Sequence, residues 1–207
     1  MGIPVEVPGL GTILNEVSEG TVIIVESGAD GAKSFLVRTL AATAHRLGSP
    51  VTYVTSRDGA VVRAALTNGG SIPAGGATEV QELDSLVGWV PNGIHGGLLA
   101  VDSFSFLTLD FTPNQLAALL RELRERCRQT KLSVLLATDR GMLDPRAEAV
   151  AIHLSDGVIQ FHTRDGPEGL VRYLRIPKWP AGSLTDRNIY YEFDGQRMAI
   201  DLRRRVL

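Results

Sequence analysis

The chain has 207 residues, enough for one well-buried core and short for two domains. Apolar residues make up 44% and charged residues 21%, a globular composition, and the net charge of −2 gives no global basic field to draw nucleic acid or an anionic membrane. No stretch reaches the roughly 20 apolar residues of a membrane span, the opening MGIPVEVPGLG lacks the basic and apolar regions of a secretion signal, and the single cysteine, Cys127, excludes an internal disulfide and a cysteine-based zinc cluster. These features fit a cytoplasmic protein.

The first strong element is Thr21–Glu26 (TVIIVE), a β-branched run that reads as a buried strand. A small-residue turn, Ser27–Ala32, leads into a helix expected from about Lys33 to Leu47, with Leu36, Val37, Leu40, Ala41, Ala44 and Leu47 on one face. Gly48 stands where a helix-ending glycine belongs, with Pro50 just beyond. Pro50–Thr55 reads as a second strand, and Asn68–Gly76 (NGGSIPAGG) as a surface loop. Gly97–Val101 is a short apolar strand ending at Asp102. Thr112 caps a helix expected to Gln129, with Pro113 at its first position and a core stripe of Leu116, Leu119, Leu120, Leu123 and Cys127. Cys127 thus reads as a small core residue rather than a nucleophile. Leu132–Ala137 is a further buried strand, and a short helix is expected from Pro145 to Ile152. After Ser155 the runs Gly157–His162, Leu170–Ile176, Asn188–Phe193 and Met198–Leu202 read as strands separated by turns. The order predicts an α/β fold: a mostly parallel central sheet flanked by helices, with an antiparallel C-terminal extension. No composition shift marks a boundary, so residues 1–207 are expected to form a single domain.

A strand, a small-residue loop and Lys-Ser opening a helix is the layout of a phosphate cradle, in which backbone N–H groups face the anion, lysine reaches the terminal phosphates and the hydroxyl ligates magnesium. The pattern G-x-x-x-x-G-K-[ST] falls on Ser27, Gly28, Ala29, Asp30, Gly31, Ala32, Lys33 and Ser34. Lys33 and Ser34 match, whereas Ser27 and Ala32 replace both glycines.

The run Val7–Ser34 resembles the opening segment of KaiC-like members of the RecA superfamily of P-loop ATPases. Further stretches resemble the family in order: Gly97–Ser105 (GLLAVDSFS) its Walker B strand, Leu135–Thr138 (LLAT) the next strand and polar tip, Leu154–Gln160 and Arg172–Lys178 its late strands, and Tyr191–Ile200 its closing hairpin. The archaellum motor ATPase and RadB-type recombinases share this layout. The resemblance implies a RecA-like P-loop fold over nearly the whole chain, with ATP and Mg²⁺ as cofactors if the altered loop still binds. It places Gly28, Ala29, Asp30, Gly31, Ala32, Lys33, Ser34 and Thr138 around the nucleotide, with Ser34 and Asp102 at the metal. For Asp102 the alternative is a strand-end turn residue.

Three departures from the family bear on catalysis. A Cβ at Ala32 crowds the phosphates, and Asp30 sets a negative charge beside a polyanion, although Gly28 and Gly31 persist one position away. The relatives' paired glutamates correspond to Thr55-Ser56-Arg57-Asp58, where Arg57 replaces one acid and Asp58 is a shortened second; Arg57 pairing with Asp58 is the structural alternative. Ring-forming relatives supply a Lys-x-Arg finger to the neighbouring subunit; Lys178 matches its lysine but Pro180 stands for its arginine, and a solvated strand-end lysine is the alternative. Asp58 and Lys178 are therefore the remaining catalytic candidates. The expectation is a pseudo-ATPase with weak or no ATP binding, acting as a regulatory or ring-scaffold module with homo-oligomeric (possible hexameric ring) or protein partners.

The alternatives are a weakly active KaiC-like ATPase or a RadB-like DNA-binding ATPase. The candidate DNA loops Ser105–Phe111 and Asp139–Asp144 are short and carry one cation, Arg140, so nucleic acid is not the expected partner. His45, His95, His153 and His162 lack metal-ligand spacing. Arg121, Arg124, Arg126 and Arg128 interleave with Glu122 and Glu125, as on a solvated helix face. Phe104, Phe106 and Phe111 read as core residues in preference to a subunit contact.

Overall fold

The protein is described here by a computed structural model covering residues 2–28, 31–55, 78–82, 96–167, 169–180 and 185–201. The strands are β1 (Ile3–Pro4), β2 (Glu16–Val17), β3 (Val22–Ser27), β4 (Val51–Thr55), β5 (Thr78–Glu82), β6 (Leu98–Val101), β7 (Ser133–Asp139), β8 (Gly157–Gly166), β9 (Gly169–Lys178), β10 (Thr185–Phe193) and β11 (Met198–Ile200). The helices are α1 (Gly11–Leu14), α2 (Ala32–Arg46), α3 (Phe104–Leu107), α4 (Pro113–Thr130) and α5 (Pro145–Leu154). Among the described residues, nine strands form one sheet in the order β11-β10-β9-β8-β3-β7-β6-β4-β5. From β5 to β8 every neighbour is parallel; β8, β9, β10 and β11 then pair antiparallel.

The pleat sorts the central strands into two cores. Ile23 and Val25 of β3, with Leu135 and Ala137 of β7, face α2 through Leu36, Val37, Leu40, Ala41 and Ala44. Val22 and Ile24, with Val134 and Leu136, face α4 and α5 through Leu116, Leu120, Leu123, Cys127, Ala147 and Ala151. Being covered on both faces is why β3 and β7 are continuous apolar runs rather than alternating ones. Burying each such side chain contributes about 1.5–3 kcal/mol.

The helices begin where their caps dictate. Thr112 Oγ1 accepts from Gln115 N at 3.3 Å, and Gln115 Oε1 accepts from Thr112 N at 2.9 Å, closing a capping box before Pro113. Asp144 caps α5 through Arg146 N at 2.8 Å. Asp156 ties the two halves of the sheet: its carboxylate accepts from Val22 N at 3.0 Å and from Arg124 at 2.6 Å, and its own N–H donates to Val22 O at 2.7 Å.

Several sequence expectations change. Leu47 is 46% exposed, because α2 stops at Arg46 and the chain turns outward at Gly48 (φ 78°). Phe104 is buried under the sheet tip and Phe111 half-buried, but Phe106 is 56% exposed on the short helix α3. The N-terminal elements β1, α1 and β2 escape sequence reading because two-residue strands and a one-turn helix carry no period. They close tightly: a Cβ on Gly11 would stand 2.2 Å from Val5 O. The Asn68–Gly76 loop lies outside the described residues.

Candidate functional site

The site lies at the C-terminal ends of β3, β6 and β7, where an open α/β sheet places its ligands. β3 and β7 run in register through Glu26↔Thr138 and Ser27↔Asp139, so the tip of β7 stands beside the first residue of the β3–α2 turn. Gly28 is exposed, and Ala29 and Asp30 lie outside the described residues. Gly31, the N-cap of α2, has φ 76°, a conformation that favours glycine over any residue with a Cβ. Among the described residues no side chain caps this helix, so its first N–H groups are a candidate anion site. Ala32, in place of the family glycine, is fully buried as the first helical residue.

Lys33 and Ser34 are already engaged. Lys33, 5% exposed, donates from Nζ to Asp139 Oδ1 at 2.5 Å. Asp139 is held from its other side: its Oδ2 accepts from Ser105 Oγ at 3.2 Å, and its own N–H donates to Ser105 Oγ at 3.0 Å. Ser34 Oγ donates to Asp102 Oδ1 at 2.6 Å. Asp102 is 2% exposed, and its Oδ2 is buried with no hydrogen-bond partner among the described residues. A buried carboxylate oxygen without a donor is costly, and a hard divalent cation is the partner this pair of oxygens suits. Among the described residues no three His, Cys, Asp or Glu side chains gather, so such an ion would need oxygens from a bound ligand as well. Thr138 is buried one residue before Asp139.

A second polar cluster flanks this one. Glu26, at the end of β3, accepts from Arg140 Nε at 2.5 Å and from Gln160 Nε2 at 3.0 Å. Arg140 also donates to Phe161 O at 3.1 Å and contacts His162 Nδ1 at 3.0 Å. A guanidinium has no acceptor, so Nδ1 is the accepting nitrogen and the imidazole is neutral. Burial, reinforced by Arg140 and Arg175 and opposed by Glu26, holds the His162 pKa below its ordinary value of 6.5.

Lys33 and Ser34 thus meet acids at the tips of β7 and β6, whereas Thr138 alternates onto the other face of β7, beside Glu26 and Leu143. Lys178 is elsewhere: its Nζ donates to His153 O at 3.1 Å and also to Ser155 O, the closing carbonyls of α5 in the same chain. The adjoining Trp179 donates to Leu14 O at 3.3 Å, which fixes the end of β9 against the N-terminal turn. Asp58 lies outside the described residues. Sequence reading placed Ser105, Asp139 and Arg140 only in candidate DNA loops and Glu26 only at a strand end, and assigned none of them to this site. The available signal was an Asp-Arg pair immediately after the polar strand tip at Thr138.

The solved structures that share this architecture include the following two. A KaiC-like protein from the hyperthermophilic archaeon Pyrococcus horikoshii OT3 matches with a TM-score of 0.75 at 17% identity, covering 97% of this chain and 99% of its own. The flagellar accessory protein FlaH from Methanocaldococcus jannaschii matches with a TM-score of 0.73 at 17% identity, covering 97% and 98%. At that identity the likeness is one of fold: the chain has the RecA-like α/β fold of these proteins. No curated protein matches it. A family model described as a family of unknown function matches residues 16–207, and the chain belongs to that family, DUF7125.

Proposed function

We propose that this chain is a RecA-like pseudo-ATPase, a module that keeps the architecture of a nucleotide site without turnover and acts through assembly with copies of itself or with protein partners. The observation that carries the reading is the Lys33–Asp139 pair: the cation that would meet terminal phosphates is bound to an internal carboxylate at 2.5 Å. Nucleotide must displace Asp139 before it can use Lys33, and the displaced carboxylate then faces a polyanion. Unit charges about 4 Å apart repel by about 4 kcal/mol at an effective dielectric of about 20. The replacement of both cradle glycines by Ser27 and Ala32, the substitution at Arg57, and the use of Lys178 to close α5 support the same reading.

Residual nucleotide sensing is favoured by one feature, the buried unpartnered Oδ2 of Asp102 beside Ser34. These two residues would hold magnesium, which supplies positive charge at the phosphates when bound. Under this reading ATP is a weak regulatory ligand rather than a fuel.

Isothermal titration with ATP, with and without Mg²⁺, and a parallel hydrolysis assay test the proposal on the wild type and on Lys33→Ala. Weak or absent binding and no turnover are expected. A hydrolysis rate that Lys33→Ala abolishes would refute it.

A further inference from the structure

Among the described residues, no helix covers one side of the antiparallel extension. Ile159 and Phe161 of β8, Leu174 and Ile176 of β9, and Tyr191 of β10 point into the α2 core, with Ile189 packed against it. The alternate residues therefore point the other way. There the α4–α5 core includes only Val158 from these three strands. Beyond it the opposite face carries Gln160, His162 and Arg164, then Tyr173 and Arg175, then Asn188 and Tyr190.

Register lines three of these up in a cross-strand row: His162 pairs with Tyr173, and Tyr173 with Tyr190. The imidazole stacks on Tyr173 with centroids 4.9 Å apart and planes 3° from parallel, and Tyr190 follows at 6.2 Å, tilted by 56°. Two guanidiniums bracket the row along the strand direction. Arg164, which pairs with Val171, and Arg175, which pairs with Gln160, each lie 5.8 Å from the Tyr173 centroid. Both arginines are exposed, while the three rings are half-buried. Arg175 is oriented by Asn188 Oδ1 at 2.8 Å, and Arg164 reaches the Tyr190 hydroxyl at 3.4 Å. Glu26, beside the row, is neutralised by Arg140 and does not cancel these cations. Glu192, two residues beyond Tyr190, is exposed.

We propose that this open face of β8, β9 and β10 binds single-stranded nucleic acid, its bases stacking against the ring row and its phosphates meeting Arg164 and Arg175. Every base has a π-face and every linkage a charge, so rings interleaved with guanidiniums on a sheet face suit an unpaired strand irrespective of sequence. Neighbouring strands are about 4.8 Å apart, so three rings span about 10 Å, room for about two nucleotides. The row adjoins the Asp139–Asp144 loop through the Arg140–His162 contact but uses neither Lys33 nor Asp139, and the inference does not depend on the proposed lack of turnover.

Fluorescence anisotropy with labelled oligo-dT and oligo-rU, about 15 nucleotides long and at about 50 mM salt, tests it on the full chain. Salt-sensitive binding is expected, weakening about sevenfold on raising salt to about 200 mM if two phosphates are contacted. The double variant Arg164→Gln/Arg175→Gln should remove that salt dependence, and Tyr190→Ala should weaken binding about tenfold. Glu192→Gln should tighten it. Arg164 and Arg175 are exposed, so their variant keeps the test valid if Tyr190→Ala misfolds. The proposal is overturned by absence of binding at low salt, by binding that these variants leave unchanged, or by an abasic oligonucleotide binding as well as oligo-dT, which would mean simple polyanion attraction. It is equally overturned if the variants alter self-association in light scattering and not oligonucleotide binding, since the face would then be a contact between copies of this chain.

Discussion

Replacing Asp139 with Asn tests whether the internal carboxylate closes the cradle. The substitution keeps one oxygen to accept from Lys33, sets an NH2 donor opposite the Ser105 hydroxyl oxygen, and removes the charge. The Lys33 side chain is 6% exposed and that of Asp139 33% exposed. Breaking a fully buried pair costs about 3–5 kcal/mol, and an exposed pair contributes less than about 1 kcal/mol. A pair that is half of each, with an acceptor retained, should cost about 1–2 kcal/mol. For a chain of this length each kcal/mol shifts the melting temperature by about 2–4 °C, so Asp139→Asn should melt roughly 2–8 °C below the wild type without ligand. Adding ATP should reverse the order. With the repulsion of Asp139 removed and Lys33 released, affinity should rise by at least about tenfold, even if screening leaves only a third of the ~4 kcal/mol Coulomb term. Thermal melts with increasing ATP, paired with calorimetry, read both effects. The double variant Lys33→Ala/Asp139→Asn should lose the gain. If Asp139→Asn binds ATP no more tightly than the wild type, the carboxylate does not compete with phosphate and the reasoning fails.

Other expectations follow from the same geometry. The Cys127 thiol, fully buried on α4, is raised to about 12 by burial and by Asp156, so it should resist thiol reagents in the native protein and react at once in denaturant. Asp156→Ala removes the acceptor for Val22 N and strands Arg124, so a stability loss of about 2–3 kcal/mol is expected in urea titrations; a loss under about 0.5 kcal/mol would contradict the structural role. His162 has a folded pKa below 6.5, so the unfolded chain takes up its proton first as pH falls. Its effect on stability is absent well above 6.5 and grows unfavourable as pH drops from there to the folded value. The difference in urea midpoint between about pH 8 and about pH 5.5 should therefore shrink in His162→Gln.

The fold was legible because its central strands and long helices obey local rules. A strand covered on both faces must be apolar throughout, so β3 and β7 announce themselves, and α4 declares its start in Thr112, Pro113 and Gln115. What failed was set by distant contacts. Leu47 continues the stripe of α2 in sequence, but the left-handed turn at Gly48 lifts it off the core. The strands β8 and β9 run well past their apolar segments because backbone pairing holds Arg164↔Val171 and Asp165↔Leu170 together without burial. Their polar ends look like loop in sequence, and the hairpin's register is what makes them strand.

The site divides in the same way. Lys33 and Ser34 belong to a contiguous motif, and Asp102 ends an apolar run, so each can be placed from its neighbours. Asp139 cannot: its meaning comes from lying opposite Ser27 across a parallel ladder and from reaching a lysine 106 positions away. The same residue would be a metal-side acid, a turn residue or a counter-ion depending on which group its carboxylate meets. Register decides among these, because extending β7 through Asp139 sets that carboxylate level with the start of the cradle. A lost glycine leaves a gap in a motif and can be counted from sequence. A counter-ion leaves no gap, and it is the Lys33–Asp139 pair that supplies the stronger physical argument for the proposed closed site.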